Sequence, residues 1–168
     1  MAGDKFLYNN SGTLTEKASV QSSAGAGDAG KIPALDASGR LDSTMMPTGI
    51  AADTATVTAS ENLAAGDLVN IWNSTGAKVR KADATTAGKE AHGFVTGAVI
   101  SGASATVYFE GTNAGVTGLT PGVQFLSTTA GLATVTAPSG AGNVVQRVGF
   151  ATAATSLNFQ SETPIVLA

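Results

Sequence analysis

The fold is decided by an alternating apolar pattern on both sides of one turn, Gly66-Asp67-Leu68-Val69-Asn70-Ile71-Trp72-Asn73-Ser74-Thr75-Gly76-Ala77-Lys78-Val79-Arg80-Lys81-Ala82. Before the turn, Val69 and Ile71 share one face of the chain. After it, Val79 faces inward between two basic neighbours. Because successive side chains of a strand point to opposite sides of a sheet, this alternation predicts two half-buried strands. The residues 73–76 favour a turn, so we expect the two strands to form a hairpin.

The same texture continues from about Thr54 to the end of the chain. Short runs rich in Val, Thr and Phe alternate with glycine-containing turns, and no stretch has a sustained helical period with caps. Short strands at close spacing predict an all-β domain over residues 54–168, folded as a small β-sandwich or a β-barrel-like domain. The other strand candidates are residues 54–59, 94–100, 105–110, 124–127, 132–137, 143–151, 156–160 and 165–167.

Two parts of this domain resemble each other. Their similar segments follow in the same order, with spacings that drift by a few residues. Two similar β-units that pack on each other would form a single core. A chance likeness stays open, because hairpins with glycine turns share many features. The matched segments are 66–82 with 122–137, 93–95 with 149–151, and 104–110 with 155–160.

The first 53 residues have a different character, and residues 23–53 are rich in Gly, Ala, Ser and Asp. We predict an extended N-terminal arm over residues 1–53. Its apolar residues have no core of their own, and such residues usually bury against another domain or subunit. The alternative is that the arm folds back on its own β-domain. The candidate protein–protein contacts are Ile32, Leu35, Leu41, Met45, Met46 and Pro47.

Composition limits the partners of the chain. Its 168 residues carry a net charge of −3 without a basic stripe, so we do not expect nucleic acid as a partner. No apolar run approaches the roughly 20 residues that span a bilayer, so no membrane is expected, and Phe6-Leu7-Tyr8 is too short for a signal peptide. Charged residues make up 12% of the chain, which suits packing against copies of itself or a low-complexity extracellular or virion protein.

One segment matches two phosphate-binding patterns, Gly25-Ala26-Gly27-Asp28-Ala29-Gly30-Lys31. Both patterns require a buried strand before the loop and a helix N-terminus after it, where main-chain N–H groups meet the phosphates. The preceding residues are too polar for a central strand. Ile32 stands where a magnesium-binding hydroxyl would be needed, and Pro33 disfavours helix at the residue before it. We therefore interpret this segment as a flexible linker.

No constellation of catalytic or metal-binding residues stands out. His92 is the single histidine and there is no cysteine, so we expect no metal site and place His92 at the end of a loop. Residues 102–106 lack the closing glycine of a nucleophile elbow, and the Asp36–Gly39 stretch is a turn without the ligand series of a calcium loop. No carboxylate pair suits acid–base chemistry. We predict no catalytic, cofactor-binding or metal residues and no enzymatic activity.

Three segments resemble phage structural proteins. Residues 30–47 look like the element G-K-x-x-x-L-D-x-x-G-[KR]-[LI]-D-x-x-[ML]-[ML]-P of head-fibre, decoration and tail-fibre proteins. Residues 65–95 resemble the β-rich cement proteins through a strand that begins Gly-Asp, a Lys-Ala segment and a Gly-Phe-Val strand. Residues 131–159 are similar to the C-terminal part of the same proteins.

The chain therefore resembles tailed-phage capsid decoration (cement) or head-fibre-like proteins. The resemblance implies a structural virion protein on the outer surface of the head, assembled in the host cytoplasm, which stabilises the expanded capsid. It further implies a homotrimer whose arms hold the major capsid protein, and it brings no catalytic residues. Because the first element also occurs in tail fibres, the alternative is a tail-fibre or head-fibre module that contacts the host surface.

Overall fold

The structure is a computed structural model that describes residues 5–47 and 52–168. The chain divides into two compact units, Met1–Ala51 and Ala52–Ala168. The predicted boundary between the arm (residues 1–53) and the β-domain (residues 54–168) is close to this division. Residues 1–4 and 48–51 of the predicted arm lie outside the described residues. The described residues form fourteen strands and two short 3-10 helices, which confirms the all-β class.

The first unit begins with a hairpin that the sequence interpretation did not include. Strand β1 (Lys5–Asn10) pairs with β2 (Thr13–Ala18) along its whole length. Its two turn residues, Ser11 and Gly12, have φ of 53° and 95°, the left-handed conformation that a two-residue hairpin turn requires. Two 3-10 helices follow, Ala26–Asp28 and Ser43–Met45. The segment has more local structure than an extended arm implies.

The second unit begins with a closed five-stranded barrel. Its strands are β3 (Thr54–Ala59), β4 (Leu68–Asn73), β5 (Ala77–Lys81), β6 (Gly93–Phe94) and β7 (Ser104–Tyr108). The order around the barrel is β3-β5-β4-β6-β7, and only β3 and β5 pair in parallel. The interior is filled by the inward members of the alternating patterns, as the sequence predicts for the hairpin of β4 and β5. These residues are Ala59, Leu63, Val69, Val79, Val95, Ala105 and Val107.

The rest of the second unit is an open sheet and a small strand pair. Its strands are β8 (Gly111–Asn113), β9 (Gly122–Leu126), β10 (Ala133–Thr134), β11 (Val144–Val145), β12 (Arg147–Ala153), β13 (Ser156–Phe159) and β14 (Ile165–Val166). Five of them form an antiparallel sheet in the order β10-β9-β12-β13-β8, and β11 pairs with β14.

The barrel and the open sheet share one strand order. Starting at β5, the barrel reads β5-β4-β6-β7-β3, and the sheet reads β10-β9-β12-β13-β8, with equivalent neighbours antiparallel in both. We call residues 54–108 the first repeat and residues 111–159 the second repeat. The predicted pair of similar β-units is therefore confirmed at the level of topology. The repeats differ at their edges, because β3 pairs with β5 whereas β8 and β10 do not pair.

The two repeats pack on each other through a second core. The outer wall of the barrel contributes Phe94, whose ring lies 5.5 Å from that of Tyr108 and 5.6 Å from that of Phe159 in the second repeat. Main-chain bonds add to the junction, since Leu68 N–H donates to Gly131 O at 2.8 Å. This cluster consists of Leu68, Ala82, Ala84, Ala91 and Phe94 from the first repeat and Leu126, Val148, Leu157 and Phe159 from the second.

Several strands differ from their predicted bounds for local reasons. The strand expected over 94–100 ends at Phe94, before Gly97, and only an isolated bridge from Val99 to Leu63 continues it. The strand expected over 143–151 is split at Gln146. That side chain leaves the pattern because its Oε1 accepts from Ala91 N at 2.8 Å and its Nε2 donates to Ala91 O at 2.9 Å.

Candidate functional site

The candidate site is the first unit, where among residues 5–47 no side chain is buried. An apolar core is the usual source of stability in a folded unit, and an isolated two-stranded hairpin is at best marginally stable in water. The local order of this segment therefore comes from hydrogen bonds and turns, and several of its large apolar side chains are exposed.

Hydrogen bonds draw the loops of residues 20–47 together. Val20 and Pro33 form an isolated parallel β-bridge. In it, the Val20 N–H donates to Ile32 O at 3.0 Å, and the Val20 carbonyl accepts from Ala34 N at 2.7 Å. Farther along, Ser23 N donates to the hydroxyl of Thr44 at 2.8 Å. These bonds hold three passes of the chain side by side.

Three aspartates fix the turns between these passes. The hydrogen bond from Lys31 and the one from Ala24 N, each 2.6 Å long, lower the pKa of Asp28. The Asp42 carboxylate caps the second 3-10 helix and accepts from the hydroxyl and N–H of Thr44, which lowers its pKa in the same way. Asp36 accepts from two main-chain N–H groups of its own turn, so residues 36–39 form the turn that the sequence predicts.

The segment that matches the phosphate-binding patterns has neither of the elements those patterns need. Residues 26–28 form a single 3-10 turn in place of a helix, and Gly25 before it has φ of 88°. The Lys31 ammonium group is paired with the Asp28 carboxylate. A cation already neutralised by a neighbouring carboxylate is a poor phosphate ligand, so the segment serves as a hydrogen-bonded turn.

Five of the six candidate contact residues lie on the surface. Ile32, Leu35, Leu41 and Met46 are each between 40% and 56% exposed, and Pro47 is exposed as well. The sixth, Met45, is half-buried and lines a shallow depression of about 220 Å³ beside Val20 and Pro33. The structure therefore presents these apolar side chains to solvent, with one of them at the edge of a depression.

The hairpin adds a second apolar surface, whose residues are not among the candidate contacts predicted from the sequence. Leu7 and Leu14 are 71% and 73% exposed, and the strand register makes them diagonal neighbours on one face. On the other face the Lys17 ammonium lies 4.9 Å from the centre of the Tyr8 ring. The turn signal at residues 9–12, together with the short apolar run before it, could have revealed this hairpin.

Trp72, Tyr108 and His92 of the β-domain each contact a neighbouring strand or side chain. Trp72 lies in β4, where Arg80 stacks 4.6 Å from its ring centre, and Tyr108 in β7 stacks on Phe94. The ring Nδ1 of His92 accepts from Ile71 N at 3.0 Å, so this side chain extends the pairing of β4 at the end of a loop, where it was expected.

One carboxylate of the β-domain has a shifted pKa. Partial burial acts to raise the pKa of Asp83, but hydrogen bonds from Thr85 and Lys89 outweigh it and lower that pKa. The pairing is local and serves the loop after β5. Among residues 5–47 and 52–168 no three His, Cys, Asp or Glu side chains form a group that could hold a metal ion, and no helix there is long and apolar enough to cross a membrane.

The fold and the exposed segment define a two-part all-β protein, with a duplicated domain and a unit that lacks a core. No protein-family model and no curated protein matches the chain. Among solved structures it is similar to the N base of the head fibre gp8.5 of bacteriophage phi29, at 16% sequence identity and a TM-score of 0.43. The likeness covers 67% of this chain and 92% of that one.

Proposed function

We propose that this chain is a structural virion protein of a tailed phage that binds the outer surface of the head. In this proposal it acts as a decoration or cement protein and stabilises the expanded capsid. The observation that carries the proposal is the first unit, in which residues 5–47 have no buried side chain yet hold several large apolar ones at the surface. The assignment to a phage head draws on the sequence resemblance of residues 30–47 and 131–159.

The proposed partner of the arm is the major capsid protein. Fully burying a large apolar side chain contributes about 1.5–3 kcal/mol, so covering the exposed half of each contributes roughly 1 kcal/mol. Four such residues (Ile32, Leu35, Leu41 and Met46) would supply about 4 kcal/mol per arm before the cost of ordering is subtracted. A single arm would therefore bind weakly.

Self-association would make such weak arms effective. In the proposed homotrimer, three linked arms bind the same lattice, and the second and third contacts form at a high effective concentration. Anything that binds the assembled lattice more tightly than its separated parts stabilises the assembly by mass action. The role is structural, and the proposal assigns the chain no catalytic step, cofactor or metal ion.

The test is binding of the purified chain to undecorated heads, with the variant Leu35→Asp/Met46→Asp compared with the original chain. Loss of about 2 kcal/mol of apolar burial weakens each arm roughly 30-fold, and two desolvated carboxylates weaken it further. The matched control is Ile100→Asp, an equally drastic change at a 73% exposed site of the β-domain. Equal head binding by the arm variant and the control would refute the role of the arm.

The alternative, a fibre module that contacts the host surface, makes a different prediction. Exposed aromatic side chains are the usual platforms for sugars, but Trp72 and Tyr108 are packed within strands, so we do not favour it. Binding of the purified chain to host cells, with no binding to heads, would support this alternative over the decoration role.

A further inference from the structure

The outer face of the second repeat's sheet carries an apolar strip. The strand registers place Thr112, Asn158, Phe150 and Val123 in one row across four strands. Val123 and Phe150 are direct cross-strand partners and remain 42% and 38% exposed. Half-buried Phe125 lies next along β9 on the same face. These three apolar side chains are neighbours on the outer face of the five-stranded sheet, which we call the sheet face.

A β-bulge turns Phe150 outward. The register with β9 shifts between Arg147 and Gly149, so Val148 and Gly149 both lie opposite Gln124. Val148 points into the core, and without the bulge the two-residue period would bring Phe150 to the same side. Gly149 makes the bulge possible: its φ is 127°, and a Cβ there would lie 1.9 Å from Asn158 O.

The equivalent face of the first repeat is buried. Phe94 pairs with Tyr108 there, as Phe150 pairs with Asn158 in the second repeat, so the two phenylalanines occupy equivalent positions. Phe94 is only 1% exposed, because the sheet of the second repeat covers it. Residues 52–168 comprise two repeats, and within them the equivalent face around Phe150 remains partly exposed.

The charge of the sheet face suits contact with an identical surface. The side chains described on it are neutral apart from that of Arg147, and its guanidinium group is paired with Glu162 at 2.9 Å. When identical faces meet around a symmetry axis, an unpaired charge close to that axis lies near its own copies and is repelled by them. A neutral apolar face avoids that repulsion, whereas a site for a charged partner would carry complementary charge.

We propose that a second copy of this chain covers the sheet face, with the faces of the copies turned to a common symmetry axis. This inference deepens the self-association part of the proposed function and rests on it. Five strands about 4.8 Å apart and about five residues long give a face of roughly 400 Å². Since a standard interface buries about 800 Å² per partner, association through this face is weak and depends on concentration.

The experiment measures the mass of the full chain by light scattering over a range of concentrations. Phe150→Asp and Phe150→Lys each place like charges around the axis, so each variant alone is expected to lose the oligomer. Mixing the two variants brings opposite charges together, so the oligomer is expected to return. The control Ile100→Asp is expected to assemble like the original chain, and circular dichroism verifies that every variant is folded.

Two results would overturn the inference about the sheet face alone. One is a folded Phe150→Asp chain that assembles like the original, which would leave self-association intact but through another surface. The other is a mixture of the two charged variants that stays monomeric. An original chain that is monomeric at every concentration would overturn both the face and the proposed homotrimer. Head binding through the arm is tested separately, with the Leu35→Asp/Met46→Asp variant.

Discussion

The equivalent phenylalanines of the two repeats offer a quantitative test of the fold. Phe94→Ala removes a side chain that is 1% exposed and leaves a cavity where the repeats meet. Buried Phe→Ala changes cost about 3–5 kcal/mol, and the two aromatic neighbours at 5.5 and 5.6 Å place this site in the upper half of that range. We therefore expect the free energy of unfolding to fall by about 4 kcal/mol.

Phe150→Ala is the matched control, because it removes the same side chain at the equivalent position. Phe150 is 38% exposed in the folded chain. Its truncation therefore loses only part of the free energy gained by burying a phenylalanine side chain, and it opens no enclosed cavity. We expect a loss of about 1–2 kcal/mol. Both values are measured by urea unfolding, at a concentration where light scattering shows a monomer. Equal losses for the two variants, or a loss below about 2 kcal/mol for Phe94→Ala, would refute the account of the packing between the repeats.

Three further predictions concern single sites of the β-domain. Gln146→Ala removes two hydrogen bonds that join the repeats and leaves their main-chain partners buried, so stability should fall by about 2–4 kcal/mol in urea unfolding. Gly66→Ala places a Cβ 2.3 Å from the main-chain carbonyl carbon of Gly115 and should cost well above 2 kcal/mol. Gly88→Ala, at the same φ of 88° but with open space around the Cβ, should cost about 1–2 kcal/mol. Because the pKa of Asp83 is lowered on folding, its contribution to stability is present above pH 3.8 and is lost as the pH falls further.

The measurements that check these three predictions can each contradict them. Gln146→Ala with unchanged stability would mean that its hydrogen bonds are replaced by water. Equal effects of the two glycine substitutions would show that the close approach at Gly66 does not constrain the fold. For Asp83, Asp83→Asn should flatten the dependence of the urea midpoint on pH below about 4, and an unchanged dependence would contradict the role of its pairing.

The sequence predicts much of the β-domain because alternation and turn residues act locally. The hairpin of β4 and β5 lies where the pattern of Val69, Ile71 and Val79 places it, with these residues toward the barrel interior. Strand β8 has no such signal, since Gly111, Thr112 and Asn113 contain no apolar residue. Its place is set by pairing with β13, which is distant in sequence and cannot be inferred from the three residues themselves.

The candidate site was predictable as a set of residues but not as a shape. An apolar run without room for a core indicates exposure, and that much follows from residues 32–47 alone. The bridge between Val20 and Pro33 and the bond from Ser23 to Thr44 depend on contacts between distant segments. Closure of the first repeat and the open edges of the second also depend on such contacts. The exposed sheet face around Phe150 becomes visible only once the two repeats are compared in space.

The central claim, that the chain is a structural protein on the outside of a phage head, is tested most directly by imaging intact virions. A label directed at the chain, viewed on particles of the phage that encodes it, would show its position. The account predicts label distributed over the outer surface of the head. Label confined to the tail, or absent from purified virions, would contradict it.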